Sequence, residues 1–104
     1  MIKVSVFYPN ESGKRFDLEY YVSRHKPMVL AKLGPLGLNG LTVDKGLMGG
    51  TPGSAAPYVC IGHMRFETME AYKQAMKAHG KEVLADIPNF TDITPVVQVS
   101  EIQS

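Results

Sequence analysis

The chain opens with an alternation of hydrophobic and polar positions, which is the pattern of a β-strand with two different faces. From Ile2 to Tyr8, one face carries Ile2, Val4, Val6 and Tyr8, and the other carries Lys3, Ser5 and Phe7. The segment Tyr58–Phe66 shows the clearest alternation, with Tyr58, Cys60, Met64 and Phe66 opposite Val59, Ile61, His63 and Arg65. Two weaker segments, Leu41–Met48 and Pro95–Ile102, complete a set of four predicted strands.

Two other segments follow the 3.6-residue period of an amphipathic helix. Asp17 is a suitable N-cap for the first helix and Thr68 for the second. The first helix places Leu18, Val22, His25 and Val29 in one line, flanked by Tyr21, Met28 and Leu33, and ends at Gly34-Pro35. The second has a stripe of Met69, Tyr72, Met76, His79 and Val83, with Asp86 on its flank, and ends at Ile87-Pro88-Asn89.

The predicted elements follow the order βαββαβ. Because strand–helix–strand crossovers are right-handed, this order predicts a ferredoxin-like α+β fold: a four-stranded antiparallel sheet with two helices on one face. A length of 104 residues fits one domain, which we expect to span residues 1–104. Residues 49–57 are rich in glycine and proline and form a long loop between the second and third strands.

Two helices leave the second face of such a sheet uncovered. That face is predicted to carry several large apolar side chains: Phe7, Val59, Ile61 and one of Val96 and Val97. Because apolar surface of this kind marks an interface, we expect a homodimer in which two sheets face each other around a ligand cavity. The same face carries Lys3, Ser5 and His63, with either Thr42 and Asp44 or Leu41, Val43 and Lys45 from the second strand.

Composition narrows the classes of function. The net charge is +1, and without a basic run it gives nucleic-acid binding no support. No apolar run reaches the roughly 18 residues that a membrane span needs, and the N-terminus lacks the apolar region of a signal peptide. Cys60 is the only cysteine, so an internal disulfide is impossible and a reducing, cytoplasmic location is expected.

No common catalytic or cofactor motif occurs in the chain. The patterns HExxH, CxxC, GxSxG, GxGxxG and the P-loop are all missing. We therefore expect no cofactor. The three histidines fall on different faces of the predicted elements, which argues against a shared metal site.

The three histidines are nevertheless the candidates for acid–base chemistry, because imidazole titrates near neutral pH. His63 would project into the cavity between the two sheets. His25 and His79 lie near the centres of their helical stripes, where a hydrogen-bonded structural histidine is the simpler interpretation. Asp86 lies about 10.5 Å beyond His79 along the helix, so it would orient His79 only through an intermediate group.

Pro27 strengthens the case for His25. Proline has no N–H to donate, and its ring disfavours helical geometry at Lys26. We expect the first helix to end or kink near His25 and a new segment to begin with Pro27 at its first position. The carbonyls of Val22 and Ser23 would then be free, and the imidazole would lie within reach of one of them or of a ligand.

Four groups of residues, spread over nearly the whole chain, resemble the EthD family, named for a protein associated with ethyl tert-butyl ether degradation. They are Phe16-Asp17 with Tyr20-Tyr21 and His25-x-Pro27; Asp44-Lys45-Gly46-Leu47 with Gly49-Gly50 and Pro52-Gly53; Tyr58 with Gly62-His63 and Phe66; and His79 with the run from Asp86 to Thr91. The sequence shows no large departure from the family's pattern.

The resemblance implies a dimeric α/β barrel built from two ferredoxin-like subunits, in degradative or secondary metabolism. Similar barrels include cofactor-free monooxygenases, muconolactone isomerases, and polyketide-tailoring dehydratases and decarboxylases. Several of them use a histidine from the region of the first helix for proton transfer, a role that His25 would inherit.

Two functions follow as hypotheses. The first is a cofactor-independent enzyme, either a monooxygenase-like oxidoreductase or an isomerase- or dehydratase-like proton-transfer catalyst, acting on a small apolar carbonyl or phenolic compound. Its acid–base groups would be His25 and His63, supported by His79 and Asp86, in a pocket shaped by Ser5, Phe7, Tyr8, Tyr21, Val59 and Ile61. The second is a non-catalytic accessory protein that binds a hydrophobic intermediate for a partner oxygenase. A weaker third is a dimer whose cavity is filled by its own side chains.

Overall fold

The chain forms four strands and two helical segments in the predicted order. In this computed structural model, which describes residues 1–104, the elements are β1 (Ile2–Pro9), α1 (Leu18–Tyr20), a π-helical turn (Tyr21–His25), α2 (Lys26–Leu33), a 3₁₀ turn (Gly34–Leu36), β2 (Leu38–Lys45), β3 (Tyr58–Phe66), α3 (Met69–Ala85), a second 3₁₀ turn (Ile87–Asn89) and β4 (Val96–Glu101). We call α1, the π turn and α2 together the N-terminal helix. The strands form one antiparallel sheet in the order β2-β3-β1-β4, which confirms the ferredoxin-like α+β fold.

Both predicted N-caps are confirmed. The Asp17 carboxylate accepts a hydrogen bond from the Tyr20 backbone N–H at 3.0 Å, and the Thr68 hydroxyl oxygen accepts one from the Ala71 N–H at 3.1 Å. Each bond satisfies one of the N–H groups that a helix start leaves without an intrahelical partner. The two helices therefore begin where the short polar side chains predict.

The predicted bounds of the second strand are wrong by three residues at each end, because β2 spans Leu38–Lys45. Gly46 ends the strand: its N–H donates to the Val59 carbonyl at 2.9 Å, and a Cβ at this position would collide with the Tyr58 carbonyl oxygen. The following Leu47, predicted to lie within the strand, is 85% exposed.

The N-terminal helix is interrupted near His25, as predicted, although the interruption is a π-helical turn and not an end of the helix. Five residues adopt a π-helical turn, in which the Lys26 N–H donates to the Tyr21 carbonyl five residues earlier. Pro27 therefore falls in the first turn of α2, where its missing N–H costs little. The wider turn also shifts the buried stripe, so that Tyr21 faces the core and Val22, predicted to lie on the stripe, is 48% exposed.

The uncovered side of the sheet, which we call the open face, is set by the strand register. Residues paired across the strands place Lys3, Ser5, Phe7, Thr42, Asp44, Ile61, His63, Arg65 and Val96 on it. The alternative with Thr42 and Asp44 is therefore the correct one for β2. In β4, Val96 rather than Val97 pairs with Phe7.

One residue predicted to lie on the open face does not. A register shift opposite Tyr8 and Pro9 leaves Val59 as the extra residue of β3, and Val59 packs against the helix-covered cluster around Tyr8. The same shift turns Tyr58 toward Phe7, with their ring centroids 5.0 Å apart. Tyr58 therefore replaces Val59 among the apolar residues of the open face.

The core between sheet and helices is divided into two parts. A mainly aliphatic cluster consists of Val4, Val29, Leu33, Leu38, Leu41, Met64, Phe66, Ala75 and Val83. A mainly aromatic cluster consists of Tyr8, Tyr21, Cys60, Phe90 and Ile93.

A separate finding is that the structure contains no helix of the length and apolar character required for a membrane span.

Candidate active site

A cavity of about 320 Å³ lies between the sheet and the helices, where the two clusters of the core separate. We call it the chamber. Its lining residues are Val4, Val6, Tyr8, Tyr21, His25, Val29, Leu41, Gly62, Met64, Tyr72, Met76, Val83, Leu84, Ile87, Pro95 and Val97. Leu84 and Val97 are both more than half exposed, so the chamber opens to solvent between the end of α3 and β4. Its volume lies in the range of small-molecule sites.

The position of the chamber differs from the predicted one. We expected the cavity on the open face, between two sheets, whereas the chamber lies on the helix side within a single chain. Of the predicted lining residues, Tyr8 and Tyr21 reach it, but Ser5, Phe7, Val59 and Ile61 do not. Strand alternation assigns a residue to a face, but it does not show whether the helices pack tightly against that face.

His25 is the one histidine that lines the chamber, and it is held by Asp86. The imidazole Nδ1 lies 2.8 Å from the Asp86 carboxylate, and only 6% of the His25 side chain is exposed. The π turn presents His25 from the N-terminal helix, and Asp86 is the C-cap residue of α3. An ionised carboxylate can only accept, so we assign the proton to Nδ1.

Asp86 is kept ionised by the donors around it. Its other oxygen accepts hydrogen bonds from the Tyr20 hydroxyl at 2.7 Å and from the Asn89 amide at 2.9 Å. Burial alone would raise the pKa of Asp86, but the hydrogen bonds from Tyr20, Asn89 and His25 outweigh it and lower the pKa. The same bond raises the pKa of the Tyr20 hydroxyl, which stays protonated as a donor.

The second nitrogen of His25 is left without a partner in the chain. Nε2 makes no hydrogen bond. Every fully buried side-chain nitrogen or oxygen in the chain does make one, so Nε2 is not fully buried. Nε2 is therefore accessible, and the space that His25 lines is the chamber. With the proton on Nδ1, Nε2 presents a lone pair to an apolar space, which is the state of a general base.

The imidazole ring also packs against two aromatic rings, which contact each other. The Phe90 centroid lies 4.8 Å from that of His25, and the Tyr21 centroid lies 5.1 Å away. Phe90 is fully buried, and Arg15 helps to hold its segment by donating from its guanidinium to the Pro88 carbonyl at 2.9 Å. The Asp17 N–H donates to the Phe90 carbonyl at 2.7 Å. Segments about 70 residues apart are thereby joined at the base of the site.

Two tyrosine hydroxyls supply the other polar atoms near His25. Burial raises the pKa of Tyr8 and of Tyr21 well above the ordinary tyrosine value, so both remain protonated at neutral pH. The Tyr21 hydroxyl lies over Gly62 of β3, where a Cβ would collide with it. Glycine at position 62 therefore provides the space for this hydroxyl in the chamber.

His63 lies on the open face, as predicted, but it is engaged there by a hydrogen bond and by an ion-pair contact. Its Nδ1 lies 3.0 Å from the Ser5 hydroxyl, and its Nε2 lies 3.1 Å from the Asp44 carboxylate. Both ring nitrogens are thus engaged within the chain. These contacts are separated from the chamber by the sheet, so the structure does not bring His63 together with His25.

His79 lies on the surface of α3 and not in the chamber. Its Nδ1 is 3.5 Å from Glu82, which also forms an ion pair with Lys32. The prediction that Asp86 orients His79 is wrong, because Asp86 bonds to His25 of the N-terminal helix. No group of three or more His, Cys, Asp or Glu side chains lies close enough to hold a metal ion.

The Asp86 carboxylate should stabilise the fold in a pH-dependent way. Because its folded pKa is lowered, its contribution is present above the unfolded pKa of about 4 and is lost as the pH falls through the folded value. We expect Asp86→Asn to cost about 1.5–3 kcal/mol of unfolding free energy at pH 7. Urea unfolding of both proteins between pH 2 and 7 measures this difference. A difference that stayed constant below pH 4 would contradict the assignment.

Sequence reasoning missed three residues of the site: Tyr20, Gly62 and Phe90. Each lies within a group of residues that carried the family resemblance. Periodicity could not single them out, because their partners are distant in sequence: Tyr20 and Asp86 are 66 residues apart. The shared motifs were the only signal that could have found them.

Comparisons with known proteins agree with this architecture. The EthD domain profile matches residues 13–94. An EthD-like protein from Ralstonia eutropha JMP134 is 45% identical, with a TM-score of 0.92 over 99% of this chain and 92% of that one. No curated protein matches the chain.

Two more distant structures share the fold alone. A dimeric ferredoxin-like protein from an uncultured marine organism is 13% identical, with a TM-score of 0.64 over 100% of this chain and 96% of that one. SnoaB, a cofactor-independent oxygenase from Streptomyces nogalater, is 12% identical, with a TM-score of 0.60 over 99% of this chain and 92% of that one.

Proposed function

Because this chain belongs to the EthD family, we propose that it binds a small, mostly apolar carbonyl or phenolic compound in the chamber and acts on it by proton transfer without a cofactor. His25 is the acid–base residue, and Asp86 orients it. The observation that carries the proposal is the accessible, unpaired Nε2 of His25, a residue that lines the apolar chamber while its Nδ1 is bonded to the Asp86 carboxylate.

The lining of the chamber supports the choice of ligand class. Most lining residues are hydrophobic, and the polar atoms are those of His25 and the tyrosine hydroxyls. An apolar lining favours a ligand that buries hydrocarbon surface, and a few fixed polar atoms orient it. A charged or sugar-like compound would lose its hydration without finding enough partners.

Deprotonation is also the first step that a cofactor-independent oxygenase would need. SnoaB is an oxygenase of this kind with the same fold, which supports oxygenation as the second form of the proposal. Oxygen consumption during turnover separates the two forms. Proton transfer alone would exchange substrate hydrogen with solvent without consuming oxygen.

The experiment that tests the proposal has two stages. Native mass spectrometry of the purified protein reports the number of subunits and any small molecule that co-purifies. That compound, and a panel of apolar ketones and phenols, are then incubated in deuterium oxide and followed by NMR for exchange catalysed by the protein. Saturable binding with neither exchange nor oxygen consumption would favour the accessory role, in which the chain holds an intermediate for a partner oxygenase.

We further propose that two copies of the chain pair through their open faces. One end of this face is apolar, with Phe7, Tyr58, Ile61 and Val96 together, and Val96 is 57% exposed in the single chain. The fold shared with a dimeric ferredoxin-like protein supports this arrangement. In such a dimer, the chambers lie on the outer sides of the paired sheets, one in each subunit.

Val96→Asp should therefore weaken the dimer. Burying an unpaired carboxylate in an apolar interface costs several kcal/mol, so we expect the dissociation constant to rise by about 100-fold or more. Sedimentation velocity measures the change against a wild-type dimer of two 11.4-kDa chains. Leu30→Asp, on the outer surface of α2, is the matched control and should leave the dimer intact. A monomeric wild-type protein would contradict the pairing.

A further inference from the structure

We propose that the Tyr21 hydroxyl, held over Gly62, is the hydrogen-bond donor for the carbonyl oxygen of the substrate. The substrate is then an enolisable carbonyl compound, with an acidic hydrogen on the carbon next to the carbonyl. This inference rests on the proposed function, because it takes His25 as the base.

The first support is the position of the hydroxyl. Tyr21 and Gly62 both line the chamber, and the Tyr21 oxygen occupies the space that a side chain at position 62 would fill. The ring cannot easily move away, because Tyr8, Phe16, His25 and Phe90 all contact it. The hydroxyl is therefore held in one place before any ligand binds, as an effective oxyanion donor must be.

The second support is the direction in which the Tyr21 proton is free to point. The Tyr21 hydroxyl makes no hydrogen bond within the chain, and every fully buried polar side-chain atom does make one, so this hydroxyl is accessible in the chamber that Tyr21 lines. The Tyr21 O–H is thus free to donate to a ligand in the chamber.

The third support is the distance to the base. The rings of Tyr21 and His25 are neighbours, with centroids 5.1 Å apart, so the donor and Nε2 act within one small chamber. Nε2 removes a proton from the carbon next to the carbonyl, and the C–H electron pair forms a C=C bond. The carbonyl π electrons move to oxygen, and the resulting oxyanion accepts the Tyr21 hydrogen bond. The proton on Nε2 returns to carbon, so no oxidant or cofactor is consumed.

A phenolate probe tests the donor without any turnover. 4-Nitrophenol, whose ionised form absorbs visible light, imitates the oxyanion, and 4-nitroanisole is the matched compound that cannot ionise. We expect wild-type protein to bind the phenolate more tightly than the anisole. Tyr21→Phe should weaken phenolate binding by about 10- to 100-fold, the effect of a lost hydrogen bond to a charged group, and leave anisole binding unchanged.

Gly62→Ala gives a second, independent variant, because it displaces the hydroxyl while keeping the tyrosine. It should lower phenolate affinity in the same direction as Tyr21→Phe, and circular dichroism verifies that both variants are folded. Equal phenolate affinity of wild type and Tyr21→Phe, or no preference of wild type for phenolate over anisole, would overturn the inference. If His25→Ala abolished the preference for phenolate over anisole and Tyr21→Phe did not, the proposed role of His25 would stand and Tyr21 would not be the donor.

Discussion

Replacement of His25 by alanine is expected to lower the rate of proton exchange into the substrate by about 10²- to 10⁴-fold, the usual contribution of a general acid–base group. The reason is that His25 Nε2 is the only imidazole nitrogen in the chamber that has no partner in the chain. The rate of deuterium incorporation into a substrate found by screening measures the loss. Binding of the substrate should persist, because the apolar lining is unchanged.

His79→Ala is the matched control for this experiment. It removes the same side chain from the surface of α3, where His79 contacts Glu82 outside the chamber, and should leave the exchange rate within about twofold. His63→Ala tests the other face of the sheet, because His63 forms a hydrogen bond with Ser5 and an ion-pair contact with Asp44 on the open face. Full exchange activity in His25→Ala would refute the assignment of the base.

Phe90→Ala is expected to cause the largest loss of stability, about 3–5 kcal/mol of unfolding free energy. Phe90 is fully buried and contacts five rings, those of Tyr8, Phe16, Tyr20, Tyr21 and His25. Its removal opens a void where the rings meet. Such a loss is a large part of the 5–15 kcal/mol that stabilises a typical domain. Urea unfolding followed by circular dichroism measures it.

Leu47→Ala provides the comparison for Phe90→Ala. Leu47 is 85% exposed, and its truncation should change the unfolding free energy by less than about 0.5 kcal/mol. A loss below about 1 kcal/mol in Phe90→Ala would show that the aromatic cluster rearranges to fill the void. The position of His25 would then depend less on Phe90 than the structure indicates.

The fold could be predicted from the sequence because its determinants are local. Alternation in β1 and β3, the caps Asp17 and Thr68, and the order of the elements were sufficient for the ferredoxin-like topology. The end of β2 depends instead on the close contact between Gly46 and the Tyr58 carbonyl of the neighbouring strand. Such a contact leaves no periodic pattern in the sequence.

The candidate site was predictable in its residue types but not in its geometry. Pro27 indicated a break beside His25, but a uniform 100° per residue cannot represent a π turn, and Val22 was placed on the buried stripe as a result. The partner of Asp86 was also misplaced. Along the helix His79 is seven residues away. The actual partner, His25, is 61 residues away and is brought near only because the N-terminal helix packs beside the end of α3.

The division of the core has a consequence for how the natural ligand can be found. The aliphatic and aromatic clusters are separated by a chamber of about 320 Å³. A ligand that binds there would pack against both clusters and would thereby extend the hydrophobic core. Any compound that fits adds about 2.7 kcal/mol of stability at 100 times its dissociation constant. For a domain of this size, each kcal/mol raises the melting temperature by about 4–8 °C. Thermal denaturation in the presence of metabolite fractions therefore detects the occupant before any reaction is known.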